Sequence, residues 1–351
     1  MNIPAWWRYL GLILALWTPV RAADKIVLVA GGDEHRTGIP ALQAKLREPF
    51  GVDFDAAGNL FIVEMIAGNR LLKMDTDGIL THVAGQLEPG DAGDGGPALA
   101  ARFNGPHNLV VLPTGDVLLG DTWNGRVRRV GLKTGLVSSV PGFDIPPPGA
   151  RTAGPYCIAA DFDARHLYIA DLRRVHRLDL QSGVAQVVAG NGEKGVPADG
   201  AVAVSAPLAD PRAAVVDRAG NLYILERNGH ALRVVDRAGR IRTVVNASGQ
   251  KGAEGDGGDA LSARLNGPKH LCVDLEDNVI IADAENHLIR KYLPKTGKII
   301  RVAGTGKKGS AGLGGPPEQA ELNRPHGVTV ARDGTLFITD SYNHRILKIV
   351  R

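Results

Sequence analysis

Six short apolar runs, each closed by an acid, recur along the chain: NLFIVE, DVLLGD, HLYIAD, NLYILE, NVIIAD and TLFITD, ending at Glu64, Asp121, Asp171, Glu226, Asp283 and Asp340. Short unbroken apolar stretches rich in Leu, Ile and Val, bounded by turn residues, predict strands. A shorter apolar stretch precedes each run and others follow it. Glycines mark the turns between them, at Gly58, Gly115, Gly220 and Gly334 before the run and at Gly78, Gly135, Gly183, Gly239 and Gly297 after it. Beyond the first twenty residues no long segment keeps the 3.6-residue apolar spacing of a helix. A proline opens each set, at Pro49, Pro106, Pro155, Pro211, Pro268 and Pro325, at intervals of 57, 49, 56, 57 and 57 residues. The closing acid falls fifteen residues after its proline in five sets and sixteen after it for Asp171. A four-strand unit repeated at this period is the mark of a β-propeller.

The last set ends early: after Pro325 only three strands fit before Arg351. Its missing fourth strand stands at the other end of the chain, where KIVLVAG (Lys25 to Gly31) matches KIIRVAG (Lys298 to Gly304) at five of seven positions. The predicted fold is therefore an all-β, six-bladed propeller of four-stranded blades, closed by an N-terminal strand that completes the C-terminal blade. Such a ring has no free strand edge.

Before that strand, Arg8 precedes an apolar run from Leu10 to Trp17, broken at Thr18-Pro19 and followed by Val20-Arg21-Ala22. This pattern predicts a secretory signal peptide over residues 1–22, cleaved near Ala22, leaving one propeller domain over 23–351. The mature chain is then periplasmic or extracellular, has no transmembrane span, and is expected to be a monomer. Losing Arg8 and Arg21 takes the formal charge of +4 to +2, which argues against a nucleic-acid partner, since phosphate recognition needs a concentrated basic face. Only Cys157 and Cys272 are present, both in apolar runs, and are expected as buried free thiols rather than a disulfide.

Two glycine-rich connectors, GDGGPALAARFNGP (Gly93 to Pro106) and GDGGDALSARLNGP (Gly255 to Pro268), are nearly identical. Calcium would take Asp and backbone carbonyls, but each connector offers one clear carboxylate, Asp94 or Asp256, and the equivalent stretch before Pro325 reads GLGG. They are read as structural turns between blades. The segment FDIPPPGARTAGP (Phe143 to Pro155) replaces such a connector in the third unit and predicts a stiff projecting loop, a place for a partner to dock or a plain variant linker.

The motif DSYNHRILKI (Asp340 to Ile349), preceded by PHGVTVARDGTLFIT, resembles the NHL repeat, and the GDGGPA linker resembles the bacterial extracellular branch of that family. ADAENHLIRKY and GDTWNGRVRRV are similar to it, and blades 3 and 4 less so. The resemblance covers about residues 24–351 and implies the propeller fold. It leaves the activity open, since NHL propellers bind RNA or proteins, sense at cell surfaces, or cleave peptidyl hydroxyglycine. The lyase relatives place zinc-binding histidines, a tyrosine and an arginine in a six-bladed ring, and their local motifs find no residue-by-residue match here.

What recurs in every blade is explained by folding, and what differs is a candidate for function. The six closing acids recur and are read as structural, accepting backbone N–H bonds in the next turn or pairing with Arg70, Arg126 or Arg345. The residue after each proline varies: Phe50, His107, Tyr156, Arg212, Lys269 and His326, with Asn108 and His270 one step on. Six blades bring these to the mouth of the channel. With Trp123, which follows Asp121, the residues His107, Asn108, Tyr156, Arg212, Lys269, His270 and His326 are the ligand-binding candidates. His107, His270 and His326 are also weak zinc candidates, since zinc requires three or four converging ligands; no cofactor is predicted outright. The leading reading is a binding or scaffold module for a protein, peptide or glycan. The alternative is a lyase or hydrolase in which a histidine acts as base or metal ligand and Arg212 or Lys269 stabilises negative charge.

Overall fold

The computed structural model describes residues 24–144 and 154–351. The expected signal peptide, and residues 145–153 of the third connector, lie outside the described residues. Six antiparallel four-stranded sheets stand around one axis, five built from four consecutive strands running outward from the centre and the sixth from the last three strands and the first, and two of them carry a further two-residue strand on the outer edge. The inner strands are Pro49–Phe54, Leu109–Val111, Cys157–Ala160, Pro211–Val216, His270–Val273 and Gly327–Val330, in blades 1 to 6. The ring closes as expected: Lys25–Ala30 pairs antiparallel with Arg345–Val350, with Ile26 opposite Ile349 and Leu28 opposite Leu347.

The second strands of five blades, among them Leu60–Glu64 and Leu336–Asp340, are buried at every position. A blade is covered by a neighbour on each face, so both sides of its second strand are dry, which is why the sequence there runs apolar without alternation. Apolar clusters fill the seams between neighbouring blades all the way round. Ile26 and Leu347 pack toward Val328 and Ile289 at one seam, Phe61 and Leu71 toward Leu109 and Leu119 at another. Helical structure among the described residues is confined to three-residue 3-10 turns.

Five arginines lie buried on the blades, and four of them are paired with a carboxylate, Arg345 with Asp340 at 2.7 Å among them. Arg128 meets Asp94 at 2.9 Å and Asp121 at 3.5 Å, Arg290 meets Asp256 at 2.7 Å and Asp283 at 3.6 Å, and Arg233 meets Glu226 at 2.9 Å and Thr243. The acid of each GDGG connector thus answers a buried guanidinium of the blade behind it. Asp94 also accepts from Ser139, and Asp256 from Arg301. This is the reason for the repeated stretch, and it leaves neither carboxylate free for calcium. Both cysteines are free, Cys157 buried and Cys272 half-buried.

Candidate functional site

Two repeated devices set the residue after each proline. The first is the strand-closing acid. In five blades its carboxylate accepts the backbone N–H of the residue two before the proline: Arg47 to Glu64, Asn104 to Asp121, Ala209 to Glu226, Asn266 to Asp283 and Asn323 to Asp340, at 2.6 to 2.8 Å. The expected donor turn was the following one; in these five blades the connector before the inner strand donates the backbone bond instead, while the following turn is held by backbone N–H at Asp171, from Arg173 and Arg174, and by the side-chain amides of Asn124, Asn286 and Asn343 at Asp121, Asp283 and Asp340. The second oxygen pairs with Arg70 in blade 1, Arg345 in blade 6 and, in blade 2, Arg128 more closely than Arg126.

The second device joins neighbours. His230, His287 and His344 accept, through Nδ1, the N–H of the residue just before the next blade's proline, Gly267, Arg324 and Glu48, at 3.0 to 3.2 Å. Asn69 does the same for Gly105. The pre-proline residues all have positive φ, from 47° at Arg324 to 108° at Gly154. Three are glycine. At Glu48, Asp210 and Arg324 a side chain stands in a left-handed conformation that costs about 1–2 kcal/mol, and those of Asp210 and Arg324 reach the mouth of the channel.

Held this way, the six post-proline side chains converge on the upper face, where the chain runs into the inner strands. Phe50 stacks on His326 at 4.1 Å and meets the edge of His107 at 5.3 Å. His107 meets Tyr156 at 5.1 Å, and the Arg212 guanidinium lies 3.9 Å over the Tyr156 ring. Lys269, between Arg212 and His326, completes the circle and reaches Glu285 at 3.7 Å. The ring is packed shut rather than open, making the floor of a shallow bowl.

Asn108 and His270 do not join it. They lie one layer deeper and bond each other across the axis, Nδ2 to Nε2 at 2.9 Å, strutting blade 2 against blade 5. Below them a cavity of about 280 Å³ opens on the lower face, lined among others by Asp53, Ile158, Cys272 and Thr329. Its polar groups staple adjacent inner strands: Asn108 accepts from Ile158 N–H and Asp53 from Val111 N–H. A larger groove of about 560 Å³ lies away from the axis, between blades 5 and 6, and carries charges of both signs, among them Asp274, Glu276, Lys291, Arg301, Asp333 and Arg351.

Around the floor runs a second circle, formed by the residue two after each closing acid: Ile66, Trp123, Arg173, Asn228, Glu285 and Tyr342. Ile66, Trp123 and Tyr342 are 51%, 41% and 40% exposed. Trp123 shares both roles open to it, backing onto Gly105 while its outer part stays in solvent and meets His107 at 6.1 Å. The bowl is thus two-sided. Blades 6, 1 and 2 present aromatic and apolar groups. Blades 4 to 6 add Arg212, Arg227, Lys269 and Arg324, against the carboxylates Asp210, 2.6 Å from Arg227, and Glu285, 2.8 Å from Arg324.

Electrostatics follow from burial and crowding. Burial, then the nearby Arg212 charge, holds His107 well below the usual imidazole range, and burial with Lys269 does the same for His326. Both are neutral, and each ring Nδ1–H donates to a carbonyl two residues back, of Gly105 at 2.7 Å and Arg324 at 2.8 Å. That leaves Nε2 of each without a proton. Burial and the adjacent arginines push Lys269 down to about 8. Burial and Arg227 push Arg212 down to about 10. Burial takes His270 down to about 4. Among the described residues no three His, Cys, Asp or Glu side chains are placed to hold a metal ion; His270 is a layer below His107 and His326, and the three histidines do not fit a zinc site as they stand.

Comparison with known proteins agrees with this architecture. The NHL repeat pattern matches residues 322–349, and the Teneurin NHL domain pattern matches 96–254. The chain is an NHL-repeat β-propeller. Human Teneurin-1 is 29% identical over 222 residues, 56% of this NHL chain and 8% of that protein. Chicken NHL repeat-containing protein 2 is 23% identical over 338 residues, 85% of this chain and 46% of that one. The NHL propeller here therefore spans less than half the length of these curated relatives. Among solved structures, an auxiliary nutrient binding protein from Bacteroides ovatus superposes with a TM-score of 0.69 at 15% identity, covering 93% of this chain and 76% of that one. A streptogramin B lyase gives 0.54 at 14% identity, over 93% and 98%. At such identities these structures speak for the fold alone.

Sequence reasoning missed Tyr342, Ile66, Arg227, Arg324, Glu285 and Asp210 as part of the bowl. The signal for three was available in the repeat: DTWN and DSYN align Trp123 with Tyr342, and the same position holds Ile66 and Glu285. Asp210 and Arg324 stand where other NHL blades have Gly.

Proposed function

We propose that this NHL propeller is an exported binding module that holds a protein, peptide or glycan ligand in the bowl of its upper face. The observation that carries the reading is the convergence of the six non-repeating post-proline residues onto one surface, rimmed by exposed Trp123 and Tyr342. Concave sites with aromatic walls and a few placed polar groups are where ligands bind, and exposed Trp and Tyr at the centre of a surface are frequent anchors. The nutrient-binding description of a structurally similar protein supports a binding role. So does export, for which the first 22 residues have the pattern; no helix among the described residues is long and apolar enough to cross a membrane.

The test is a glycan and peptide array probed with the full chain and with Trp123→Ala, Tyr342→Ala and Phe162→Ala. Specific spots lost with the first two and kept with Phe162→Ala, which lies on the lower face, support the reading. Spots lost equally in all three count against it. Cell fractionation and N-terminal sequencing test export, with Ala23 expected as the first residue. A second reading, a lyase or hydrolase at the same place, is favoured by Lys269, which at about 8 can exchange a proton near neutral pH beside the unprotonated Nε2 acceptors of His107 and His326. It requires turnover that falls in His326→Gln without loss of binding.

A further inference from the structure

Arg212 differs from the other buried arginines of the blades. It is 6% exposed, yet no carboxylate among the described residues pairs with it. Its nearest acid, Asp210, spends Oδ2 on Arg227, through Nε and the terminal nitrogen, both at 2.6 Å, while its buried Oδ1 has no hydrogen-bond partner and offsets the Arg212 charge only from a distance. Its company is cationic: Arg227 and Lys269 stand close enough that the charges lower one another's affinity for protons. The cluster holds four cations, Arg212, Arg227, Lys269 and Arg324, to two carboxylates, Asp210 and Glu285. A buried, uncompensated guanidinium is costly, and in a binding face it is the arrangement that an oxyanion relieves, because the planar fork matches a carboxylate in two parallel bonds.

The neighbours say what carries the anion. His107 and His326 each spend Nδ1–H on a backbone carbonyl, so their Nε2 atoms are acceptors and call for donors on the ligand, as hydroxyl groups supply. On the opposite side Trp123 and Tyr342 expose flat aromatic area, suited to the C–H face of a sugar ring. Resting on the reading of the upper face as a ligand site, we propose that it takes an acidic glycan: a uronate carboxylate is held by Arg212 and Lys269, ring hydroxyls donate to His107 and His326, and the sugar face lies on Trp123 or Tyr342.

The experiment is isothermal titration calorimetry of the full chain with trigalacturonate, trimannuronate and a hyaluronan tetrasaccharide. The controls are their carboxyl methyl esters, inorganic phosphate and acetyl-trialanine, which has a free carboxylate and no sugar. The expected result is saturable binding of at least one acidic oligosaccharide, weakened at least tenfold by esterification, by Arg212→Gln and by Trp123→Ala. Arg212→Gln should keep the urea midpoint of the wild type; should it fail to fold, Lys269→Gln takes its place. Equal affinity for the methyl ester overturns the anion site while leaving a glycan-binding module standing. Phosphate or acetyl-trialanine binding as tightly as the acidic sugars overturns the glycan. Silence from all three acidic oligosaccharides overturns the proposal, whereas an array with no spot that depends on Trp123 or Tyr342 is what would remove the binding reading itself.

Discussion

The same chemical change at two buried arginines is expected to have opposite consequences. Arg290 is fully buried and bonded to Asp256, Asp283 and the carbonyls of Arg264 and Glu254. Arg290→Met strands two carboxylates and two carbonyls, and breaking a buried pair from one side costs about 3–5 kcal/mol. Arg212→Met removes a cation with no carboxylate partner. It forfeits the contact with Tyr156, 3.9 Å away, worth about 0.5–2 kcal/mol, and regains the desolvation of an unpaired charge, which for buried ionic groups replaced by apolar ones amounts to about 1–4 kcal/mol. The net for Arg212→Met is therefore between a loss of about 1 kcal/mol and a gain of about 3 kcal/mol. Urea unfolding followed by circular dichroism separates the two variants. A loss at Arg212→Met as large as that at Arg290→Met would mean that Arg212 is paired in solution, and the argument for an anion site would fall with it.

Other consequences are as specific. His287→Ala leaves the exposed Arg324 N–H to water in place of its acceptor and should cost about 0.5–1.5 kcal/mol, while His287→Asn should be tolerated, since Asn69 already fills this role in blade 1 with a left-handed backbone; paired urea titrations decide it. His270 has its folded pKa, about 4, below the unfolded 6.5, so the unfolded chain binds the extra proton: its contribution is complete above about pH 6.5 and is lost as pH falls toward 4. The stability difference between wild type and His270→Gln should accordingly change with pH only inside that window, by up to one proton, and a flat difference from pH 4 to 7 refutes it. Ile26→Asp, placing a charge at a fully buried position of the closing strand, should unpair that strand, expose the edge of Arg345–Val350 and give concentration-dependent oligomers by size exclusion that the wild type does not form at the same concentrations.

The ring, its blade count and its closure were legible because they rest on what sequence states directly: the period of the prolines, the apolar second strands, and the match of KIVLVAG to KIIRVAG. The inner circle was legible for a related reason, as the one column of the repeat that changes chemistry at every turn. Depth along the axis was not. Asn108 and His270 stand one residue beyond the circle, and alternation along a strand gave no hint that they would meet across the channel. Nor could spacing show that Asp210 would be taken by Arg227, seventeen residues on, leaving Arg212 alone. That pairing depends on a connector and a turn meeting in space. The role of the closing acids was read correctly as structural, and so was their pairing with Arg70 and Arg345, but in five blades the backbone donors lie in the connector before the inner strand rather than in the following turn.

The strand that completes the last blade also decides how the molecule can be displayed. Asp24 and Arg351 both line the groove beside the Asp333-Gly334 turn, at the end of blade 6 opposite to that where His326 sits. Whatever is joined ahead of Asp24 or after Arg351, a lipid, a surface or another domain, is therefore connected to the propeller at its underside, and the bowl is turned away from the point of attachment. A sensor chip coupled through either end should leave the aromatic and cationic face open to solution, and a coupling through Trp123 or Tyr342 should blind it.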